Sequence, residues 1–331
     1  MLNLVRYTPE YFDRWNRFVE ESNNGTIFHR LDFLQYHGNR FATGEHHLLW
    51  LKGEAIFAVL PFLVMDENGR KIGKSPYGAS FGGVVYNKKF RFRHALEIVE
   101  SLQKYFREIH LDEVTLTTTP GFYSVSPSNY FEYALSRAGF RLHSRDVFNA
   151  VRLGKDYTET WNNFEGRART AIRKAKENFD VNLNVSPTEF YHILLEDKAR
   201  HNNAKPTHTL NELVFLKESF PGKIFFDVAV LKKNQAKAGI CYFLCNPQVM
   251  MTFYMAQENN ALRADGINVL VEHGIKRALQ MKVSYLDFGG STLGYTIENI
   301  GVCEFKESFG AHGFFRDTFK YNSSVIPNSV N

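Results

Sequence analysis

The feature of this sequence that most constrains its fold is an order of predicted elements that occurs twice. A run of strands, a long helix and a further strand is predicted over residues 47–118 and again over 225–288. Short links join the strands of the second copy, so these strands are expected to form an antiparallel meander. Because the repeat is one of pattern rather than of residue identity, it predicts duplicated α/β domains.

The boundary between the two domains is expected near residue 150. It gives an N-terminal domain at 1–149, a C-terminal domain at 150–317 and a C-terminal tail at 318–331. The hydrophobic pattern of the first domain predicts strands at 47–51, 55–65, 80–86, 112–118 and 140–153, and helices at 10–22, 92–109 and 129–138. The second domain is expected to open with a basic helix near 160–178 and to contain strands at 225–231, 239–245, 249–257 and 283–288.

The composition excludes several classes of protein. The chain has 331 residues, of which 44% are hydrophobic and 23% charged, as in a folded globular protein. Its formal net charge of +5 is weak evidence for a nucleic-acid groove, so no DNA partner is expected. The three cysteines include no CxxC pair, so we expect neither disulfides nor a metal site. Because neither a signal peptide nor an apolar run of membrane length is found, a cytoplasmic location is expected.

A loop between a predicted strand and the helix after it offers a first candidate site. A helix N-terminus has unpaired N–H groups and a partial positive charge, so it can hold a pyrophosphate where a glycine permits close approach. Gly266 is that glycine, and Arg263 would add a side-chain contact. The alternative is a plain N-cap at Asp265 with Gly266 as a loop residue. The cofactor-binding candidates are Arg263, Ala264, Asp265, Gly266, Ile267 and Asn268.

A second candidate site follows the predicted strand 283–288, which ends in two glycines. Sites in α/β sheets commonly lie beyond the C-terminal ends of strands, so Ser291 is a candidate substrate contact. Lys306 follows Phe305 and is suited to pair with a phosphate or to stabilise an oxyanion. The alternative is a surface lysine on a helix whose phenylalanines belong to the core.

Two residues are candidates for the group that removes a proton from an attacking amine. His208 lies at the start of a predicted helix, and a neutral imidazole is a suitable base near neutral pH. Its alternative is a helix cap or a surface residue. Asp287 is the second candidate, acting through a water molecule or by orienting the amine.

Two segments of the chain resemble the FemABX-like branch of the GNAT acyltransferases. The segment L-D-F-G-G-S-T through F-K-E-S-F-G-A, at 286–311, resembles the C-terminal signature of that branch. The helix at 161–176 resembles the R-x-x-I-R-K-A segment that opens its second GNAT domain. Arg263-x-x-Gly266-x-Asn268 resembles the pyrophosphate loop Q/R-x-x-G-x-G/A and departs from it at Asn268. The resemblance covers 150–317 and, less specifically, the first half of the chain.

The resemblance implies an α/β fold with two GNAT-like domains in tandem, each a mixed, largely antiparallel sheet flanked by helices. It also implies acyl-CoA as co-substrate and a last strand that returns to the first domain. Arg169 and Arg173 then become candidates to hold the diphosphate of a sugar nucleotide, with a solvated basic helix face as the alternative. We expect Tyr77, Phe81, Tyr254 and Phe305 to line the substrate cleft. The turn at 77–83 is explained equally well by glycines that interrupt a strand and have no role in ligand binding.

The function that this resemblance implies is an N-acyltransferase. It would move an acetyl or short hydroxyacyl group from acyl-CoA to the amine of a nucleotide-linked amino sugar used for cell-surface polysaccharide. The nearest alternative is a Fem-type transferase that takes its acyl group from aminoacyl-tRNA and acts on a peptidoglycan precursor. A catalytically inactive protein that only binds a sugar nucleotide is a third hypothesis.

Overall fold

The computed structural model describes residues 1–200, 204–261, 264–296 and 300–323, which form two compact units. Unit 1 comprises residues 1–146 and 315–323, and unit 2 comprises residues 147–314. The helices are α1 Phe12–Glu21, α2 Leu31–Leu34, α3 Phe92–Glu108, α4 Tyr130–Arg137, α5 Tyr157–Asn162, α6 Gly166–Asn178, α7 Pro187–Arg200, α8 Leu210–Ser219, α9 Gly266–Gln280 and α10 Ile300–Glu307. The strands are β1 Asn3–Arg6, β2 Leu48–Lys52, β3 Ala55–Leu60, β4 Leu63–Glu67, β5 Arg70–Ser75, β6 Val85–Tyr86, β7 Glu113–Thr117, β8 Arg141–Arg152, β9 Phe179–Asn182, β10 Ile224–Leu231, β11 Lys237–Asn246, β12 Val249–Gln257, β13 Tyr285–Gly290 and β14 Ala311–Asn322.

Unit 1 contains two groups of paired strands. One has the order β1-β2-β3-β6 with antiparallel pairs, and the other has the order β4-β5-β7-β14, in which β5 and β7 run parallel. The long helix α3 connects β5 to β7 and buries Ile98, Leu102 and Phe106 in the core. Phe319 and Tyr321 of β14 belong to the same core. A parallel pair joined by a helix is therefore the central connection of this unit.

Two strand predictions for unit 1 were wrong, and prolines or glycines explain both. The predicted strand 55–65 is divided at Pro61, which cannot donate a ladder hydrogen bond, so β3 and β4 pair with different strands. The predicted strand 80–86 is reduced to β6. Gly83 has a φ of +78° and a Cβ on Gly82 would lie 2.3 Å from the Pro76 nitrogen, so this segment is a folded turn.

Unit 2 contains the strand order β8-β13-β12-β11-β10-β9. The antiparallel meander β10-β11-β12 is confirmed, and β12 connects through α9 to the parallel strand β13. Helix α9 packs its buried face, including Leu270 and Ile275, against the sheet. The predicted basic helix at 160–178 is two helices, because the chain turns at 163–165 between α5 and α6.

The chain passes between the units inside β8 and inside β14. The predicted boundaries after residues 149 and 317 fall in the same two strands. No helix within the described ranges is both long and apolar enough to cross a membrane.

Candidate active site

An interruption in the pairing of β12 and β13 forms the centre of the candidate site in unit 2. The two strands pair only over 249–251 and 285–287, after which β12 continues to Gln257 alongside β11. Phe253 is an extra residue in the β11–β12 register, and such a bulge bends the strand that carries it. The backbone edge of β12 beyond Met251 no longer pairs with β13. An edge of this kind can bind an extended ligand that contains amides.

Helix α9 begins just after the diverging part of β12. The first amides of any helix lack intrahelical partners, so this end of α9 can accept an anion. Asp265 precedes the helix with a φ of 66°, and its carboxylate lies 3.2 Å from the Lys174 ammonium instead of capping the helix amides. The amide of Asn268 donates to the Asp265 carbonyl at 3.0 Å. Ala264 and Ile267 pack against the core, and Arg263 lies outside the described residues.

Gly266 has a packing role at the start of α9. A Cβ at this position would lie 2.9 Å from the Cβ of Ala238 and 2.9 Å from the Phe179 ring. The absent side chain therefore permits close packing of α9 on the sheet and its neighbours, while the predicted contact with a pyrophosphate stays a prediction.

Lys306 is buried on α10, with 2% of its surface exposed, so the alternative of a surface lysine is wrong. Its Nζ donates to the Gly290 carbonyl at 2.6 Å, the Gly289 carbonyl at 3.1 Å and Ser291 Oγ at 3.0 Å. These three bonds use all the donors of an ammonium group. The carbonyls and the hydroxyl at the end of β13 therefore all bind one positive charge, the Lys306 ammonium.

Backbone geometry at the end of β13 explains how two consecutive carbonyls meet Lys306. Gly289 has a φ of 74°, and its amide donates to the Asp287 carboxylate at 2.7 Å. Two residues separate Asp287 from Gly290 on β13, but only one separates their β8 partners, so β13 has a bulge here. Asp287 is fully buried, and its carboxylate organises this turn. Its predicted role as a base or amine-orienting group stays a prediction.

The environment of Lys306 changes its proton affinity. Burial lowers the pKa of Lys306 to about 8, against the opposing effects of the Asp287 carboxylate and the Cys303 thiol. The ammonium form therefore predominates at neutral pH and becomes the minor form on mild alkalinisation. A positive charge in a site shielded from water is the type of group that stabilises a developing oxyanion.

His208 and Tyr254 lie together in the structure. His208 is buried, its Nδ1 is 2.8 Å from the Tyr254 hydroxyl, and its ring contacts Phe253 edge-on. Tyr254 belongs to the part of β12 that no longer pairs with β13. Burial raises the pKa of Tyr254 to about 12, so the phenol stays protonated and can orient the imidazole. The side chain that caps α8 is that of Thr209, so the His208 ring is not the helix cap.

Some basic side chains of α6 form ion pairs with carboxylates, and others do not. Lys174 binds Asp265, and Lys176 lies 2.7 Å from the buried Glu272 carboxylate. Arg173 is exposed, with its guanidinium 5.8 Å from the centre of the Trp161 ring, and Arg169 is partly exposed. Among the described residues neither arginine has a carboxylate partner, so both are available to an anion.

The other predicted substrate contacts are spread over both units. Ser291 lies in the Lys306 cluster, and Phe305 packs against Phe309 beside it. Phe81 is fully buried in unit 1, in contact with Phe28 and Tyr123, so its ring has no exposed surface for a ligand. Tyr77 is also buried in unit 1, with its hydroxyl 3.2 Å from the Glu45 carboxylate.

Asn149 on β8 is a site residue that the sequence analysis missed. It is buried, and its Oδ1 accepts a hydrogen bond from Ser291 Oγ at 2.5 Å, which orients the hydroxyl oxygen that accepts from Lys306 Nζ. The available signal was an asparagine inside the apolar stretch Val147–Val151 of a predicted strand. Within the described ranges, no group of three His, Cys, Asp or Glu side chains could hold a metal.

Comparison with known proteins relates this geometry to a known fold. FemX superposes on the chain with a TM-score of 0.73 at 12% identity, covering 97% of each chain. A tandem GNAT protein from the clavulanic acid biosynthesis pathway gives 0.57 at 10% identity, covering 97% of this chain and 98% of the other. L-PGS from Bacillus licheniformis gives 0.57 at 11% identity, with 97% and 94% covered. No protein-family model and no curated protein sequence matches the chain.

The chain has a tandem GNAT fold of the FemABX-like type. This confirms the predicted fold class of two GNAT-like domains with mixed sheets. In the tandem GNAT fold of this chain, the unit that contains the R-x-x-I-R-K-A segment carries the opening between β12 and β13, the start of α9 and the Lys306 cluster.

Proposed function

We propose that this protein is an N-acyltransferase that takes an acyl group from coenzyme A to the amine of a nucleotide-linked amino sugar. The observation that carries the proposal is the opening between β12 and β13, which leads to the start of α9. The amides of a pantetheine arm can pair with the free edge of β12, and its pyrophosphate can lie at the helix start. One opening thus suits both chemical parts of an acyl-CoA.

The reaction requires few protein groups once both substrates are bound. The neutral amine attacks the thioester carbonyl, a carbon–nitrogen bond forms, and the resulting oxyanion collapses with cleavage of the carbon–sulfur bond. His208, oriented by Tyr254, removes the proton from the attacking nitrogen, and the leaving thiolate takes up a proton. Lys306 and the backbone amides near it lower the energy of the oxyanion through their positive potential.

The acceptor is proposed from the unpaired cations of unit 2. Arg169 and Arg173 offer planar guanidinium groups, which suit the paired oxygens of a diphosphate. The Trp161 ring beside Arg173 adds an aromatic surface near that anion site. A nucleotide diphosphate joined to an amino sugar would supply both the anionic group and the nucleophilic amine.

A Fem-type aminoacyl transfer is the second candidate. Its support is the likeness to FemX over 97% of both chains, since the sequence resemblance associates Fem-type enzymes with aminoacyl-tRNA donors and peptidoglycan precursors. The start of α9 and the opening at β12 would then receive the acylated end of the tRNA.

Release of free thiol from a panel of acyl-CoAs, mixed with nucleotide-linked amino sugars, tests the donor. We expect thiol release that depends on the acceptor and an acylated amine in the product. If no acyl-CoA in the panel releases thiol while charged tRNA supports transfer, the second candidate is favoured. Binding of the sugar nucleotide without turnover from either donor would support the inactive protein instead.

A further inference from the structure

Three aromatic side chains form an exposed cluster on unit 1. Phe92 at the start of α3 is 41% exposed, and Tyr130 and Tyr133 on α4 are 44% and 55% exposed. The Phe92 ring lies 5.6 Å from that of Tyr130 and 5.4 Å from that of Tyr133. Clustered exposed aromatics on a folded unit indicate an interaction surface.

Four cations lie in the short segment of chain that contains Phe92. Lys88, Lys89, Arg91 and Arg93 are all exposed, so four of the six residues from 88 to 93 carry a positive charge. No carboxylate in the described part of the chain forms an ion pair with any of them. The N-terminal end of α3, at Phe92, adds its own partial positive charge.

The segment is held in place by its buried neighbours. Phe90 is buried and stacks on Tyr86 at 3.8 Å, and its amide donates to the Asn87 carbonyl at 3.1 Å. The Asn87 side chain accepts from the Lys89 amide at 2.9 Å, and His94 Nδ1 accepts from the Arg91 amide at 3.1 Å. The cations therefore project from an ordered turn, which lowers the entropy lost on binding.

The arrangement fits a bilayer surface better than a nucleic acid. Proteins that bind single strands use a basic groove along the backbone and aromatic faces that stack on bases. Here the Phe92 ring contacts the rings of both tyrosines, and the cations are confined to one turn and one helix end. Tyrosine and phenylalanine beside lysine and arginine are typical of surfaces that insert shallowly among anionic headgroups.

We propose that this aromatic–basic surface, formed by the three aromatics and four cations above, docks unit 1 on a bilayer of anionic phospholipid. The cations bind headgroup phosphates, and the aromatic rings enter the interfacial layer. The contact is peripheral and requires no spanning helix. It is independent of the donor and acceptor assignments for unit 2.

Vesicle flotation of the full chain tests the proposal. We expect binding to vesicles of phosphatidylcholine with phosphatidylglycerol and little binding to phosphatidylcholine alone. The triple variant Lys88→Gln, Lys89→Gln and Arg93→Gln should bind the anionic vesicles about a hundredfold more weakly, since each cation near such a surface contributes roughly fivefold. Replacement of Phe92, Tyr130 and Tyr133 by serine should weaken binding about tenfold even at low salt.

A charge-matched control separates this surface from bulk charge. The variant Lys104→Gln, Lys155→Gln and Lys233→Gln removes three exposed lysines elsewhere and should bind anionic vesicles like the parent chain. Equal loss in both triple variants, or no vesicle binding by the parent, would overturn the proposal. It would also be overturned if the first triple variant lost binding to single-stranded RNA while its vesicle binding was unchanged. Circular dichroism melting confirms that each variant is folded before it is compared.

Discussion

The two units contain the same strand–helix–strand connection, but only one of them leaves an opening beside it. In unit 1, β5 and β7 pair from Ile72 to Ser75, so β5 is paired to its last residue. Loop residues then occupy the strand ends, because the Gly82 amide donates to the Thr117 carbonyl and the Gly83 amide donates to Ser75 Oγ, each at 3.0 Å. In unit 2, β12 and β13 stop pairing after three residues. The candidate site therefore depends on where pairing stops, not on the connection itself.

The helices of the two connections also begin differently. At the start of α3, the His94 Nδ1 accepts from the amide of Arg91, the residue before the helix. At the start of α9 the Asp265 carboxylate binds Lys174, and no side chain among the described residues caps the helix. A helix start without a side-chain cap keeps its amides for an anion. Because neither helix has a side-chain cap hydrogen bond within the described ranges, the opening between β12 and β13 is what marks the start of α9 as the candidate site.

The largest expected effect comes from Lys306, the buried lysine of unit 2. Lys306→Met keeps the length of the side chain and removes its three hydrogen bonds, so we expect kcat to fall by about two to three orders of magnitude. Steady-state kinetics on the acyl-transfer reaction measure this effect. Lys320→Met in unit 1 removes a lysine paired with Glu113 and should leave kcat within about twofold. Equal losses in both variants would contradict a special role for unit 2.

The pH dependence should also follow Lys306. Its pKa of about 8 lies below the usual 10.5, so the charged form declines above pH 8 and kcat should fall roughly tenfold per pH unit. Between these two pKa values the unfolded chain binds more protons, so stability should rise while activity falls. Lys306→Arg should move the alkaline limb of the pH profile upward, since a guanidinium keeps its charge. An unmoved limb would assign that titration to another group.

A smaller effect is expected at the start of α9. Gly266→Ala places a methyl group against Ala238 and Phe179, so we expect a loss of about 1 to 3 kcal/mol in unfolding free energy and a higher KM for the donor. Gly166→Ala, at the start of α6, meets open space and should raise stability by about 0.5 to 1 kcal/mol. Chemical denaturation of both variants measures the difference. Equal stability of the two would disprove the packing role of Gly266.

The sequence predicted the parts of the fold that have strong local periodicity. Helix α3 and the meander β10-β11-β12 were found because apolar residues recur at a regular spacing over many positions. Strand β5 was missed because Arg70, Lys71 and Lys74 give it a polar composition, although Ile72 is buried. Its identity as a strand depends on pairing with β4 and β7, which lie elsewhere in the chain.

The candidate site was predictable in its residue types and not in its geometry. Lys306 and Ser291 were singled out from strand-end chemistry, but their contact depends on the positive φ of Gly289 and on the bulge in β13. Asn149 was missed because its partner Ser291 follows 142 residues later in the sequence. Long-range hydrogen bonds of this kind leave no periodic signal in one sequence.

The strand β14 has a consequence for the order in which the protein can mature on the ribosome. Synthesis proceeds from the N-terminus, so β7 can pair with β5 early but lacks its second partner until residues 318–322 have been made. Phe319 and Tyr321 also complete the core of unit 1. Unit 2 can fold as soon as its own strands emerge from the ribosome. The core of unit 1 stays incomplete until β14 has been made. The unit translated first is therefore the one completed last, and a nascent chain stalled before residue 318 should be open to protease in its first half.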